Sequence, residues 1–472
     1  MVYHPQNEPV GESAAPISAD SGAPEPIAAI ATAMGKGGVG VIRISGPNLR
    51  QFIKKLLGRD LIPRHAHYLP FPGADQTVLD YGIALYFQAP ASYTGEDILE
   101  LQGHGGPAVL RILLAHCLEV GKAYGLRLAN AGEFTLRAFL NDKIDLAQAE
   151  AIADLIDANS TAAAKAAAAS LSGRFSEEVT RLIEDLVELR ILVEATLDFP
   201  EEEIEFIEKY QVRSRLETVY SKLCETLEIA KQSRFLREGL KVVLAGQPNV
   251  GKSSLMNALF DQDIAIVTDI AGTTRDSIRE TLNLDGVPVT VTDTAGLRDA
   301  TDQIEMIGIE RSWAEIRSAD VILNVMDSRH PVSVLDPTLH GDVLKGKILL
   351  NVLNKVDLID SSSEPFQSSG TVRVSAKTRK GLDSLRQAIL DASGRTLGEA
   401  SPWLGRERHI QAMQAALEHL ELARDHARLN DAVLDLLAEE LRLCHDQLGE
   451  ITGRMTSDDL LGRIFSSFCI GK

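Results

Sequence analysis

Eight residues constrain this chain more than any other feature: Gly246-Gln247-Pro248-Asn249-Val250-Gly251-Lys252-Ser253. A Gly-x-x-x-x-Gly-Lys-Ser/Thr run cradles phosphate only between a strand and a helix, because loop amides and a helix N-terminus must converge on the anion. Both neighbours are written here. Leu240-Lys-Val-Val-Leu-Ala245 is apolar and β-branched, as a buried parallel strand requires, and Ser254-Leu-Met-Asn-Ala-Leu-Phe260 continues at helical spacing. Three further boxes follow in order: Asp293-Thr294-Ala295-Gly296, Asn354-Lys355-Val356-Asp357 and Ser375-Ala376-Lys377. The series describes a nucleotide site within an α/β domain of Ras-like, phosphate-loop type.

Each box implies its own chemistry. Lys252 is expected to neutralise the β- and γ-phosphates, and the Ser253 hydroxyl to hold Mg²⁺. Val250, Gly251 and Ser254 complete the loop around the anion. Asp293 closes the strand Val287-Pro-Val-Thr-Val-Thr292 and is placed to reach Mg²⁺ through water. Gly296 can present its N–H to the γ-phosphate with no side chain in the way. Asn354 to Asp357 follows the apolar strand Lys347 to Leu353; a carboxylate there accepts the ring N–H and exocyclic amine of guanine, a donor pair adenine lacks. Ser375-Ala376-Lys377 would offer a backbone N–H to the guanine carbonyl. The expected ligand is GTP and not ATP.

Length and charge bound the rest. The 472 residues suggest about three domains, and 44% hydrophobic content is ample for their cores. With 48 basic and 67 acidic residues the net charge is −19, so an RNA partner needs a local basic patch or a second protein. Cys117, Cys224, Cys444 and Cys469 lack metal-ligand spacing and a disulfide framework, the usage of a reduced, cytoplasmic protein. No apolar run approaches the ~20 residues of a membrane span. Residues 1–25, rich in Pro, Ala, Ser and Glu, lack a basic start and an apolar stretch and are expected to be a disordered extension.

Residues 26–138 read as a mixed α/β domain. Pro26 to Ala33 and Val39 to Ser45 are expected strands joined by Gly35-Lys-Gly-Gly38, a hairpin in preference to a second phosphate loop because a strand follows it. Pro107 opens an amphipathic helix, Ala108 to Val120. From 139 to 237 the pattern turns helical, with apolar stripes through Ile144, Ala147, Ala151 and Leu155 and through Val179, Leu182, Ile183, Leu186, Val193 and Leu197. Glu201-Glu-Glu203 reads as a solvated helix start. The nucleotide domain occupies 238–395. Helical periodicity returns over 396–472, through Ile410, Met413, Leu417, Leu420 and Ala423, then Leu434, Leu437 and Leu441. A GTPase domain inserted into a helical domain accounts for this order. Thr456-Ser-Asp-Asp459 is an expected cap for a last short helix.

The inserted domain, the loop Val267-Thr268-Asp269-Ile270-Ala271-Gly272-Thr273-Thr274-Arg275-Asp276, the segment Phe139 to Ala147 and the ending Cys469-Ile470-Gly471-Lys472 resemble the tRNA modification GTPase MnmE (TrmE) family from about residue 26 onward. The resemblance implies a cytoplasmic homodimer acting on tRNA with the FAD-bearing protein MnmG. The pair would place a carboxymethylaminomethyl-type group on carbon 5 of the wobble uridine, the one-carbon unit coming from 5-formyl- or 5,10-methylene-tetrahydrofolate. It implies an N-terminal dimerisation and folate domain using Arg43, Glu100, Lys143 and Lys472. Residues 1–25 lie outside the resemblance.

Hydrolysis needs a special explanation. Many GTPases carry a water-orienting Gln after the Asp-x-x-Gly box; here the position is Leu297, and Arg275 is unmarked as a finger. The resemblance assigns water orientation to Glu305 and charge screening to K⁺ held by Asn249, Thr268, Ile270 and Thr273. Thr274 would complete the Mg²⁺ shell. For Glu305 the competing reading is a surface charge starting the helix Ile307 to Ile316. For Cys469 the alternatives are a small buried residue beside Phe465 and Phe468, or a thiol at the modification centre. Two other functions fit the boxes: a regulatory switch that binds a ribosome or another assembly, and a GTP-dependent scaffold. Neither uses the folate-type domain or the Cys-Ile-Gly-Lys tail.

Overall fold

The computed structural model describes residues 25–33, 35–73, 77–198, 207, 210–260, 279–284, 287–293, 312–335, 337–345, 347–359, 371–392, 401–429, 433–453, 464–465, 468 and 471. The chain divides into two units, residues 1–150 with 453–472, and residues 151–452.

In the first unit, β1 (Ile27–Ile30), β2 (Gly37–Gly46), β3 (His67–Pro72), β4 (Val78–Phe87), β5 (Asp97–Gly105) and β6 (Arg127–Leu128) form one sheet, ordered β3-β4-β5-β2-β1-β6. β1 and β2 are antiparallel, with Ile30 opposite Ile42, so the glycine stretch at 35–38 does build a hairpin. Alternation along β2 and β5 sends Ile42, Ile44, Leu99 and Leu101 inward, where they are fully buried. They pack with Phe52 and Ile53 of α1 (Arg50–Leu57) and Leu110 and Leu113 of α2 (Pro107–Gly121). Each such side chain contributes roughly 1.5–3 kcal/mol by leaving water. Pro107 occupies the first turn of α2, where its missing N–H costs nothing. After a single tight turn at Lys122–Tyr124 and β6 the unit adds α3 (Glu133–Leu140) and the start of α4 (Leu146–Asp157).

The second unit continues with α5 (Thr161–Leu171), α6 (Arg174–Asp198) and α7 (Val212–Glu238). It closes with α11 (Glu407–Arg428) and α12 (Leu434–Thr452). α6, α7, α11 and α12 pack on one another, so segments on either side of the nucleotide boxes build one bundle and the domain carrying the boxes is inserted into it. That domain holds β7 (Leu240–Ala245), α8 (Lys252–Phe260), β8 (Arg279–Leu284), β9 (Val287–Asp293), β10 (Val321–Asp327), α9 (Pro337–Leu344), β11 (Ile348–Asn354), β12 (Thr371–Arg373) and α10 (Leu382–Ala392). Its sheet order is β12-β11-β10-β7-β9-β8, parallel except for the edge pair β8–β9. This is the Ras-like α/β fold expected from the boxes.

The helical stripes are offset in places. Val179, Leu182, Ile183, Leu186 and Val193 are buried, but Leu197 is 41% exposed. On α4 Leu155 is 37% exposed while Asp154 is buried, because two arginines meet the Asp154 carboxylate. Ala416 rather than Leu417 is fully buried on α11. The expected features at Glu201–Glu203, at 456–459 and at the start of the helix from Ile307 lie outside the described residues.

Candidate nucleotide site

Parallel pairing brings the boxes to one end of the inserted sheet. Leu244 stands opposite Asp293 on β9, and Asp327 on β10 opposite Asn354 on β11. Leu353 faces Arg373 on β12, which places Ser375 beside Asn354. Ligands of such sheets bind outside the carboxyl ends of the strands, where these loops lie.

The loop after β7 is held in the shape phosphate binding needs. Asn249 (φ 64°) and Gly251 (φ 94°) are left-handed. A Cβ on Gly251 would stand 2.6 Å from Asn354 Nδ2, so only glycine lets the two boxes approach this closely. Lys252 is 9% exposed and its Nζ donates to the carbonyls of Gly246 at 3.0 Å and Gln247 at 3.4 Å. Ser253 and Ser254 open α8 on its exposed side.

The guanine boxes are bolted to this loop. Asn354, 1% exposed, donates from Nδ2 to Val250 O at 2.9 Å. Its Oδ1 accepts from the amides of Lys355 and Ala376. Lys355, left-handed at φ 65°, donates from Nζ to Asn249 O at 2.6 Å and Asp327 Oδ2 at 3.0 Å. Ser375 Oγ donates to Asp357 Oδ1 at 2.6 Å, and Thr378 N–H donates to the same hydroxyl. That serine bond, with help from Lys377 and Lys355, holds the Asp357 carboxyl below the usual carboxylate range. Asp357 is therefore ionised at neutral pH, acceptor-only and exposed, as recognition of two guanine donors demands. The residues present fit a guanine nucleotide.

Asp327 was not among the residues singled out from sequence. Hydrogen bonds from Arg329 hold its carboxyl well below the usual range, and Lys355 adds to them. The readable signal was an acid closing an apolar strand. The side chain of Asp293, residues 268–274 and 294–296 with Leu297, and Glu305 lie outside the described residues. Of the proposed K⁺ ligands only Asn249 is described, and it is exposed.

In the first unit, Arg43 and Glu100 are register partners on β2 and β5 and are paired through Arg43 Nε and Nη2 at 2.9 Å. Gln102 donates to the other Glu100 oxygen, and the Arg43 guanidinium lies over the rings of Tyr93 and Phe134. Lys143 donates instead to Pro90 O at 3.1 Å. Beside them stands a buried ionic cluster that sequence reading missed: Arg137 joins Glu96 and Glu133, and Arg127 grips Glu133 with two nitrogens. Cys469 and Lys472 are outside the described residues. Burial pushes the thiols of Cys117 and Cys444 up to about 12, so neither serves as a nucleophile at neutral pH.

Two family models match. The GTP-binding protein TrmE N-terminus covers residues 26–143, and the MnmE helical domain covers 146–469. The chain is 60% identical to the tRNA modification GTPase MnmE of Bordetella petrii over 95% of its own length and 98% of the relative's. The chain belongs to the tRNA modification GTPase MnmE family. The Cupriavidus metallidurans member is 52% identical over 95% of this chain and 99% of that protein. Among solved structures, Era from Aquifex aeolicus bound to GDP.AlF4- aligns at 25% identity with a TM-score of 0.27, covering 39% of this chain and 67% of that one. Within the family frame, the N-terminal match ends at 143 and the helical match begins at 146, while the two units of the fold part at 150. No helix among the described residues is long and apolar enough to cross a membrane.

Proposed function

We propose that this chain hydrolyses GTP in the inserted domain and uses that cycle to drive tRNA modification at carbon 5 of the wobble uridine. The observation that supports it best is the bolting of Asn354 to Val250 O and of Lys355 to Asn249 O, which ties the segment that carries Asp357 to the loop Gly246–Ser253. Membership of a family named for tRNA modification supplies the substrate. In this reading Lys252 leaves the loop carbonyls for the β- and γ-phosphates, Ser253 and Thr274 hold Mg²⁺, and Asp357 reads the base. Asn249, Thr268, Ile270 and Thr273 would hold K⁺, and Glu305 would orient water. These supply the charge screening and alignment that Leu297 and an unmarked Arg275 do not.

The finer chemistry follows the same resemblance. The chain would act as a cytoplasmic homodimer with MnmG. A tetrahydrofolate one-carbon donor would sit near Arg43, Glu100, Lys143 and Lys472, and Cys469 would lie at the modification centre. Arg43 and Glu100 satisfy each other on the sheet, yet each keeps donor or acceptor capacity for a pterin edge. Wobble-uridine nucleosides from cells lacking this protein test the proposal. The carbon-5 group should be missing and return with the wild-type gene; unchanged nucleosides would leave the regulatory-switch reading in its place.

A further inference from the structure

The inserted domain meets the bundle at two chain crossings, one entering between α7 and β7 and one leaving at 401–407. Both are fastened by ionic and buried hydrogen bonds from distant parts of the sequence. Asp154 of α4, 7% exposed, accepts Arg237 Nε at 2.7 Å from the entering crossing. It also takes Arg406 Nη2 at 2.7 Å and Nε at 3.1 Å from the leaving one. Arg234 of α7 donates to Glu407 Oε2 at 2.8 Å, the first residue of α11, and reaches Asp320 Oδ1 at 3.5 Å. Asp320 precedes β10, and its other oxygen accepts the Lys241 N–H of β7 at 3.0 Å. On the leaving side, buried Ser170 and Ser233 accept the amides of Leu404 and Gly405. A Cβ on Gly405 would stand 2.7 Å from Ala230 O, so this crossing lies directly against α7.

The fastening has two further properties. Ala163, Ala166 and Ala167 of α5, Leu236 and Leu404 share one hydrophobic core with the sheet, so the domain is seated and not merely tethered. The strands that start at the junction also end at the nucleotide. β7 runs from Leu240 directly into Gly246, and β10 runs roughly 20 Å to Asp327, which holds Lys355. A packed strand shifts as a unit, so displacement at its carboxyl end is felt at its start.

We propose that Arg234, with Asp320 and Glu407, and Asp154, with Arg237 and Arg406, form the junction through which nucleotide state in the inserted domain is transmitted to the helical bundle. Arg234 is a positioning residue: its fork spans a carboxylate of the sheet and one of the bundle, a task a point charge performs less well. This role rests on the proposed function, since it presumes that the GTP cycle serves the rest of the molecule.

The test uses the full-length protein and Arg234→Gln, with Arg234→Lys as the conservative variant and Asp320→Asn as a second break at the same contact. Amide hydrogen exchange is followed at Gly239, Lys241, Leu404 and Gly405, in GDP and in a non-hydrolysable GTP analogue. In the wild type, exchange at these amides should differ between the two nucleotides. In Arg234→Gln and Asp320→Asn the difference should vanish while GTP hydrolysis stays within about threefold, and modified wobble nucleosides in complemented cells should fall about tenfold, within the ordinary range of coupling between sites. Arg234→Lys should recover part of both readouts. Nucleotide-independent exchange in the wild type, wild-type nucleoside levels in Arg234→Gln, or a parallel collapse of GTP hydrolysis would each overturn the junction's role. Absence of any nucleoside change in cells lacking the protein would count against the proposed function instead, and the exchange data alone would then judge the junction.

Discussion

Single side chains decide which base this site accepts. In the proposed site Asp357 would carry the choice, and Ser375 and the nearby lysines keep it ionised. Asp357→Asn replaces an acceptor pair by one acceptor and one donor, which suits xanthine and opposes guanine. The expected loss for GTP is roughly 2–4 kcal/mol, two charge-assisted hydrogen bonds, with a matching gain for xanthosine triphosphate. Equilibrium titration with both nucleotides checks it, and unchanged GTP affinity would remove this box from the site. The place of Asp357 was legible in the sequence, because it follows an apolar strand that the structure forms as β11. Asp327 was not: its value lies in the contact with Lys355, which pairing of β10 with β11 creates. Leu155 was misplaced for the same reason. Periodicity put Leu155 inward, but two arginines 83 and 252 residues away make the acid the buried neighbour.

Elements were read well where one period ran uninterrupted. The strand before the phosphate loop, the hairpin at 35–38 and the proline-started α2 stand where the pattern put them. What pattern could not show is how α3 is fixed in the first unit. Glu133 opens that helix and Arg137 follows one turn later; both are buried, with Glu96 and Arg127 completing the cluster. Burial works to raise the Glu133 carboxyl, but hydrogen bonds from Arg127, the Asn130 amide and Arg137 together outweigh it and hold the carboxyl below its ordinary 4.5. A carboxyl depressed in the folded state stabilises fully above the unfolded value, and that contribution is lost as pH falls through the folded one. Stability of the first unit should therefore decline as pH is lowered from 4.5, and Glu133→Gln should flatten that dependence. Removing one partner outright is harsher: Arg137→Ala takes the cation from the Glu96 carboxylate and leaves Glu133 to Arg127 alone, and should cost about 3–5 kcal/mol in chemical denaturation. A loss below about 1 kcal/mol would mean the cluster is solvated in solution.

At the scale of the whole molecule, the order of boxes and helical stripes was enough to place a GTPase domain inside a helical one, since the first and last helical segments needed each other to bury their faces. The junction between them was not legible, because its bonds join residues far apart in sequence. The catalytic strategy also belongs to this scale. With Leu297 in place of Gln and no marked arginine, turnover should depend on K⁺ and on pairing of two GTPase domains. Screening at such a position is worth roughly 10³–10⁵ in rate. Na⁺ at matched ionic strength should be a poor substitute, and Asn249→Ala should abolish the difference between the salts. Equal rates in K⁺ and Na⁺ would assign the screening to another group.

Guanine nucleotide turnover at this one site is proposed to drive the tRNA reaction, and an altered base preference allows that link to be measured directly. Nucleotide-depleted extract of cells lacking the protein is supplied with their tRNA, purified wild type or Asp357→Asn, and either GTP or xanthosine triphosphate. Formation of the carbon-5 modified wobble nucleoside is then followed. The wild type should support it with GTP alone and Asp357→Asn with xanthosine triphosphate alone. Modification that proceeds equally with both nucleotides, or with neither present, would contradict the account.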